Sequence, residues 1–121
     1  MGVALAVLVF VVVFGVVGAA LRPRRAGDRR VVEALAAGGQ LVDVRTPDEF
    51  AADPVPGARN LPLDQLASRR AELDRARPVV VFCASGWRSA AAAQTLTAAG
   101  FTRVIDAGGR DQLPERLVVK R

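Results

Sequence analysis

The sequence predicts an α/β domain, a parallel sheet flanked by helices on both faces, preceded by one transmembrane helix. Three observations carry this reading. Short apolar runs (Leu41 to Val44, Val79 to Phe82, Val104-Ile105) alternate with helical stretches along residues 31–121, a pattern that builds parallel sheets covered on both sides. Residues 1–21 contain no charged side chain. The single cysteine, Cys83, stands where the run Val79 to Phe82 gives way to a helical pattern. That is a strand's carboxyl end, where sites in such sheets lie.

Val3 to Leu21 is nineteen residues of Val, Ala, Leu, Phe and Gly. As a helix it is roughly 28 Å long, close to the thickness of a bilayer's hydrocarbon core. The chain carries 17 Lys and Arg against 12 Asp and Glu, a formal charge of +5. Residues 22–30 hold five arginines (Arg22, Arg24, Arg25, Arg29, Arg30) and one acid, Asp28, so +4 of the excess lies there. An apolar span followed by a basic stretch is a membrane signature rather than a nucleic-acid footprint. The positive-inside rule then puts the N-terminus outside and the rest of the chain on the cytoplasmic side of the cell membrane, as a single-pass protein. A cleaved secretory signal is the competing reading, with Gly18-Ala19-Ala20 as its small residues. It lacks a positive n-region, and the apolar run exceeds the usual length. The organisation expected is a transmembrane anchor over 1–21, in contact with membrane lipid through residues 3–21, a basic juxtamembrane linker over 22–30, and one domain over 31–121.

Each element of that domain has a local reason. Asp28 is placed to cap a helix running to about Ala37, and Gly38-Gly39 stop it. Leu41-Val42-Asp43-Val44 predicts a short buried strand. Thr46, Pro47 and Glu49 predict a helix start: a capping threonine, proline at the first helical position and glutamate at capping-box spacing. Pro54, Pro56 and Gly57 break the chain before Ala58 to Leu61. Leu63 to Arg75 is polar and helical, as one helix or two short ones; Arg69, Arg70, Arg75 and Arg77 lie among Glu72 and Asp74 on a solvated face. Val79 to Phe82 is the central strand and Ser89 to Ala99 the helix after it, stopped by Gly100. Val104-Ile105 is a last short strand before Gly108-Gly109.

Cys83-Ala84-Ser85-Gly86-Trp87-Arg88 is the chemically informative segment. A nucleophile between a strand and a helix N-terminus faces converging N–H groups and the positive end of the helix dipole. Those favour a thiolate, and a neighbouring cation lowers the pKa further; Arg88 supplies the cation. The competing reading is a structural cysteine, since free cysteines are commonly buried. Such a residue belongs within Val79 to Phe82 rather than at the exit before a glycine turn. Gly86 is expected to take a positive φ that turns the amides inward, and Ser85 to stabilise the turn. Trp87 is either an aromatic wall at the pocket mouth or a ring packed on neighbouring structure. The chain has no histidine, which removes Cys-His and Ser-His dyads and His-ligated metals. One cysteine removes multi-cysteine zinc sites, and neither metal nor cofactor is expected. The chemistry must run on a pre-formed thiolate, which suits group transfer.

Three stretches together resemble the single-domain rhodanese family over about Val31 to Val118. Leu41-Val42-Asp43-Val44-Arg45-Thr46-Pro47-Asp48-Glu49-Phe50 is similar to its first motif, Pro56-Gly57-Ala58-Arg59-Asn60-Leu61-Pro62 to its second, and Cys83 to Ser89 to its active-site loop. The resemblance implies a rhodanese-like fold and a sulfurtransferase in which Cys83 accepts a sulfane sulfur and becomes a persulfide. It also implies that the backbone of Ala84, Ser85, Gly86, Trp87 and Arg88 cradles the sulfur. Arg88 would orient a small anionic donor such as thiosulfate, with a thiol or cyanide-like acceptor, and Asp43 and Arg45 would brace the loop. Departures are Pro54, where the family often has His, and Leu113, where it usually has Trp. Related phosphatases resemble this loop but place five residues between Cys and Arg; four stand here, a smaller ring suited to one sulfur atom. A membrane-tethered carrier that delivers persulfide sulfur to a protein acceptor is the alternative to an enzyme.

Overall fold

The computed structural model describes residues 26–118. The expected anchor over 1–21 and the linker as far as Arg25 lie outside the described residues. Among the described residues no helix is long and apolar enough to cross a membrane.

The described chain opens with α1 (Ala26–Ala36), which takes up the second half of the expected linker. Asp28 therefore sits in its first turn rather than capping it, and the acid still complements the helix dipole there. The strand β1 (Gln40–Asp43) follows, then α2 (Pro47–Ala52), β2 (Arg59–Asn60) and α3 (Leu63–Arg69) with a 3-10 turn over Arg70–Glu72. The remainder is β3 (Val79–Cys83), α4 (Trp87–Ala98), β4 (Val104–Gly109), a 3-10 turn over Arg110–Gln112 and the short α5 (Glu115–Val118). The expected Leu63 to Arg75 helix is thus a short helix and a 3-10 turn. The last strand runs four residues beyond Ile105, and nothing in the sequence reading anticipated the elements after it.

All four strands are parallel, in spatial order β2-β1-β3-β4. Every residue of β3 is buried, as expected of a central strand with both faces covered. Its alternate side chains feed two cores. Val79, Val81 and Cys83 join Val42, Val44, Leu61, Leu66, Ala92, Leu96 and Phe101 on the face covered by α3 and α4. Val80 and Phe82 join Val31, Ala34, Leu41, Val55 and Leu113 on the face of α1. Burying each such Val, Leu or Phe side chain contributes about 1.5–3 kcal/mol. Leu113, at the place where the family usually has Trp, is one of these core residues. The layers are therefore held without the larger ring.

Parallel strands bring one set of ends together. The carboxyl ends of β1, β2, β3 and β4 carry Asp43, Asn60, Cys83 and Gly109. Between β3 and β4 the register shifts after Val81, so that Cys83 pairs with Gly109. A Cβ at Gly109 would lie 2.7 Å from the Ala84 carbonyl oxygen. The absence of a side chain lets β4 close against the loop that leaves β3.

Candidate active site

The loop Ala84 to Gly86 is short because α4 begins at Trp87, two residues earlier than the sequence pattern suggests. Gly86, the residue before the helix, has φ +106°, the left-handed region open to glycine. It has no side chain with which to cap the helix. The Cys83 sulfur takes that role: Sγ accepts hydrogen bonds from the backbone N–H of Gly86 (3.0 Å) and of Ser89 (3.3 Å). Ser89 is the third residue of α4, where a capping side chain normally receives a bond.

Cys83 is fully buried, and its burial pushes the thiol pKa up. The Ser89 hydroxyl and the N–H groups of Ser89, Gly86 and Ser85 outweigh burial and bring it below its ordinary value. The buried sulfur thus faces protein N–H groups that favour its ionised form. Of the five loop amides expected to cradle the sulfur, Gly86 donates a hydrogen bond to Sγ, and Ser85 adds a weaker influence. Ser89, outside that set, donates its N–H to Sγ, while its hydroxyl donates to the Gly86 and Gly108 carbonyl oxygens (2.9 and 3.4 Å) and lies close enough to favour the ionised sulfur. Its signal was available, since the third position of a helix owns an unpaired N–H, but it depends on where the helix starts.

Arg88 is placed differently from the expectation. Its Nη1 and Nη2 donate to Oε1 and Oε2 of Glu49 at 2.7 and 3.0 Å, a two-point ion pair between α4 and α2. Glu49 also completes the capping box of α2: its Oε1 accepts the Thr46 N–H (3.1 Å), and the Thr46 hydroxyl accepts the Glu49 N–H (3.2 Å). The Arg88 guanidinium, with smaller help from Thr46, holds the Glu49 carboxyl down at about 2. Attraction to the Cys83 sulfur is a lesser influence on Arg88 than the hydrogen bonds to Glu49. The principal cause of the low Cys83 pKa is thus hydrogen bonding, and the guanidinium is committed to a carboxylate.

Asp43 and Arg45, expected to brace the loop, pair with each other at the end of β1. Asp43 accepts four bonds from Arg45, at 2.7–3.0 Å, from its backbone N–H, Nε and Nη2; the two side chains are 0% and 5% exposed. Arg45 Nη2 also reaches the Asp53 carbonyl (2.7 Å), and Asp53 Oδ1 receives Arg110 (3.0 Å). This links the end of β1 through α2 to the turn after β4. Asn60 Nδ2 donates to the carbonyls of Asp43 and Arg45 at 3.0 Å each. Trp87 is 68% exposed, so its ring is not packed into the domain; it lies beside Arg88, with the guanidinium carbon 5.7 Å from the ring centroid. A cleft of about 300 Å3 is lined by Val44, Thr46, Pro62, Leu63, Asp64 and Arg88.

Fold and site define a class, a parallel α/β domain that presents a cysteine sulfur to the amides of a helix N-terminus. The chain belongs to the rhodanese family: the model of the Rhodanese-like domain matches residues 28–109. It is 44% identical over 70 residues to the uncharacterized protein YqhL of Bacillus subtilis, covering 58% of this chain and 56% of that protein. It is 41% identical over 69 residues to a sulfurtransferase of Allochromatium vinosum, covering 57% and 64% respectively. The chain thus spans less than two thirds of the length of either relative. A solved structure described as a rhodanese with anions from E. coli superposes with a TM-score of 0.59 at 34% identity, over 63% of this chain and 94% of that one.

Proposed function

We propose that the chain is a sulfurtransferase that moves a sulfane sulfur from a thiosulfate-like donor to a thiophilic acceptor, a thiol or cyanide, through a Cys83 persulfide. The observation that carries this reading is the Cys83 sulfur seated on the N–H groups of Gly86 and Ser89. In the first half-reaction the thiolate attacks the outer sulfur of the donor, the donor's S–S bond breaks, and its electron pair leaves with sulfite. In the second, the acceptor attacks the outer persulfide sulfur and the thiolate returns to its amides. The N–H groups that favour the ionised sulfur take the place of an imidazole base. The outer sulfur of the persulfide would extend about 2 Å beyond Sγ, and the N–H groups of Ala84, Trp87 and Arg88 are the loop donors left to receive it.

The test is mass spectrometry of the full chain, purified in detergent, after incubation with thiosulfate. One added sulfur on Cys83, lost on adding cyanide and absent in Cys83→Ser, is the expected result. No sulfur adduct on wild type would overturn the proposal.

A second reading, a tethered carrier that passes sulfur to a protein partner, is favoured by the exposed Trp87 ring beside the loop. Aromatic groups of this kind commonly anchor protein contacts. A persulfide that forms but turns over negligibly with cyanide would favour the carrier. We further propose that residues 3–21 anchor the domain on the cytoplasmic face of the cell membrane, with the basic residues of 22–30 holding that orientation. A C-terminal epitope tag should resist protease in intact cells and be lost after lysis; loss before lysis would place the domain outside.

A further inference from the structure

The contact around the site that thiolate chemistry does not require is the Glu49–Arg88 pair. We propose that Glu49 sets the charge selectivity of this site for its sulfur donor: by occupying both Nη groups of Arg88 it disfavours dianionic donors relative to donors with one negative charge or none. The inference rests on the sulfurtransferase reading and names the donor class within it.

The charges around the loop can be followed residue by residue. Arg88 is the one cation in the segment Cys83 to Ser89, and Glu49 holds it at two points. The cleft that Arg88 lines carries a carboxylate of its own, Asp64. The other guanidiniums at the strand ends are also taken, Arg45 by Asp43 and Arg110 by Asp53. An arriving dianion therefore finds each of these guanidiniums already engaged with a carboxylate. Glu49 is not free to swing away without cost, because Oε1 also receives the Thr46 N–H that caps α2. Arg88 is largely covered, with its side chain 17% exposed, so water screens the pair less than it would an exposed one. Its Nε is buried without a partner among the described residues, the one nitrogen of this guanidinium that makes no hydrogen bond.

The chemistry makes that occupancy matter. When thiosulfate reacts, the Cys83 thiolate forms a bond to the outer sulfur, the donor's S–S bond breaks and sulfite departs with the pair, so three negative charges share the site. A thiosulfonate, R–SO2–S−, makes and breaks the same bonds and releases a sulfinate, with one charge fewer. A neutral hydropersulfide, R–S–SH, releases R–S− with one fewer again. The extra charge of thiosulfate is the one that an unpaired Arg88 would have offset. Glu49 acts through Arg88 and is a positioning residue.

The experiment compares thiosulfate with methanethiosulfonate, which replaces one charged oxygen by a methyl group, as donors to cyanide for the full chain in detergent. Glu49→Gln keeps a carbonyl acceptor for Arg88 and removes the charge. It should raise kcat/KM for thiosulfate about tenfold, the size of one charge-assisted contact, chiefly through KM, while leaving methanethiosulfonate nearly unchanged. Glu49→Ala should shift the ratio of the two donors in the same direction. A merely structural role would move both donors together. Equal factors for the two donors, or a fall in the thiosulfate to methanethiosulfonate ratio, would overturn the proposal while leaving the enzyme reading intact. Transfer from neither donor by wild type would overturn both.

Discussion

Replacing Ser89 by alanine isolates the part of the thiolate's environment that is a single hydroxyl. Ser89 is fully buried, so the substitution leaves the desolvation of Cys83 essentially as it is and removes one donor. A hydrogen bond to a charged group contributes about 1.5–3 kcal/mol, or about one to two pKa units at about 1.36 kcal/mol per unit. The hydroxyl has one proton, and its hydrogen bonds are to the carbonyl oxygens of Gly86 (2.9 Å) and Gly108 (3.4 Å), so the sulfur must compete for it. The N–H groups of Ser89, Gly86 and Ser85 also remain. The effect therefore falls at or below the lower end of that range, in the direction of a higher Cys83 pKa. Because the folded thiol titrates below its ordinary value, reactivity in wild type develops at lower pH than in an unfolded chain, and Ser89→Ala moves that onset upward. Alkylation by iodoacetamide across neutral and alkaline pH separates the quantities: the midpoint reports ionisation, and the alkaline plateau reports access. Matching plateaus with a shifted midpoint are expected. Matching midpoints would refute the assignment of the hydroxyl to the sulfur and leave the amides alone as its support.

Gly86→Ala should cost about 1–2 kcal/mol from its left-handed backbone, because the nearest atoms to an added Cβ are at 3.7 Å, ordinary contact; a denaturant midpoint and the persulfide yield should fall together. Asp43→Ala leaves Arg45 buried without its main partner and should cost about 3–5 kcal/mol, read by thermal unfolding; a loss under about 1 kcal/mol would contradict the brace. The Glu49 carboxyl is depressed from 4.5 to about 2 by Arg88. Its stabilising contribution is therefore complete above the ordinary value and lost as pH falls toward about 2. The Tm difference between wild type and Glu49→Gln should shrink across that window; a constant difference would contradict the ion pair.

The strand–helix alternation, the Thr46–Glu49 capping box and the cysteine at a strand exit were legible because each is local: a run, a spacing, a break. The Asp43–Arg45 pair lies two residues apart and was also within reach. The partner of Arg88 was not, since Glu49 is 39 positions away and its helix-capping role already accounted for it. Ser89 was missed for a related reason: the glycine turn hid the true start of α4, and with it the identity of the third helical residue. Beyond Ile105 the paired glycines signalled a turn, yet Gly109 continues β4 because a bare backbone is what fits against Ala84. The turn at Arg110–Gln112 and α5 owe their placement to Leu113 in the core and Arg110 on Asp53, contacts without a sequence period.

The alternation of β3 gives its odd positions to one core and its even positions to the other, and Cys83 is odd. Parity therefore determines whether the Cys83 sulfur lies beneath the helix that follows it. Inserting or deleting one residue between Val79 and Phe82 would turn the sulfur toward the α1 side, where no helix start awaits it. A stretch that looks interchangeable, three valines and a phenylalanine, has a length that tolerates no odd change.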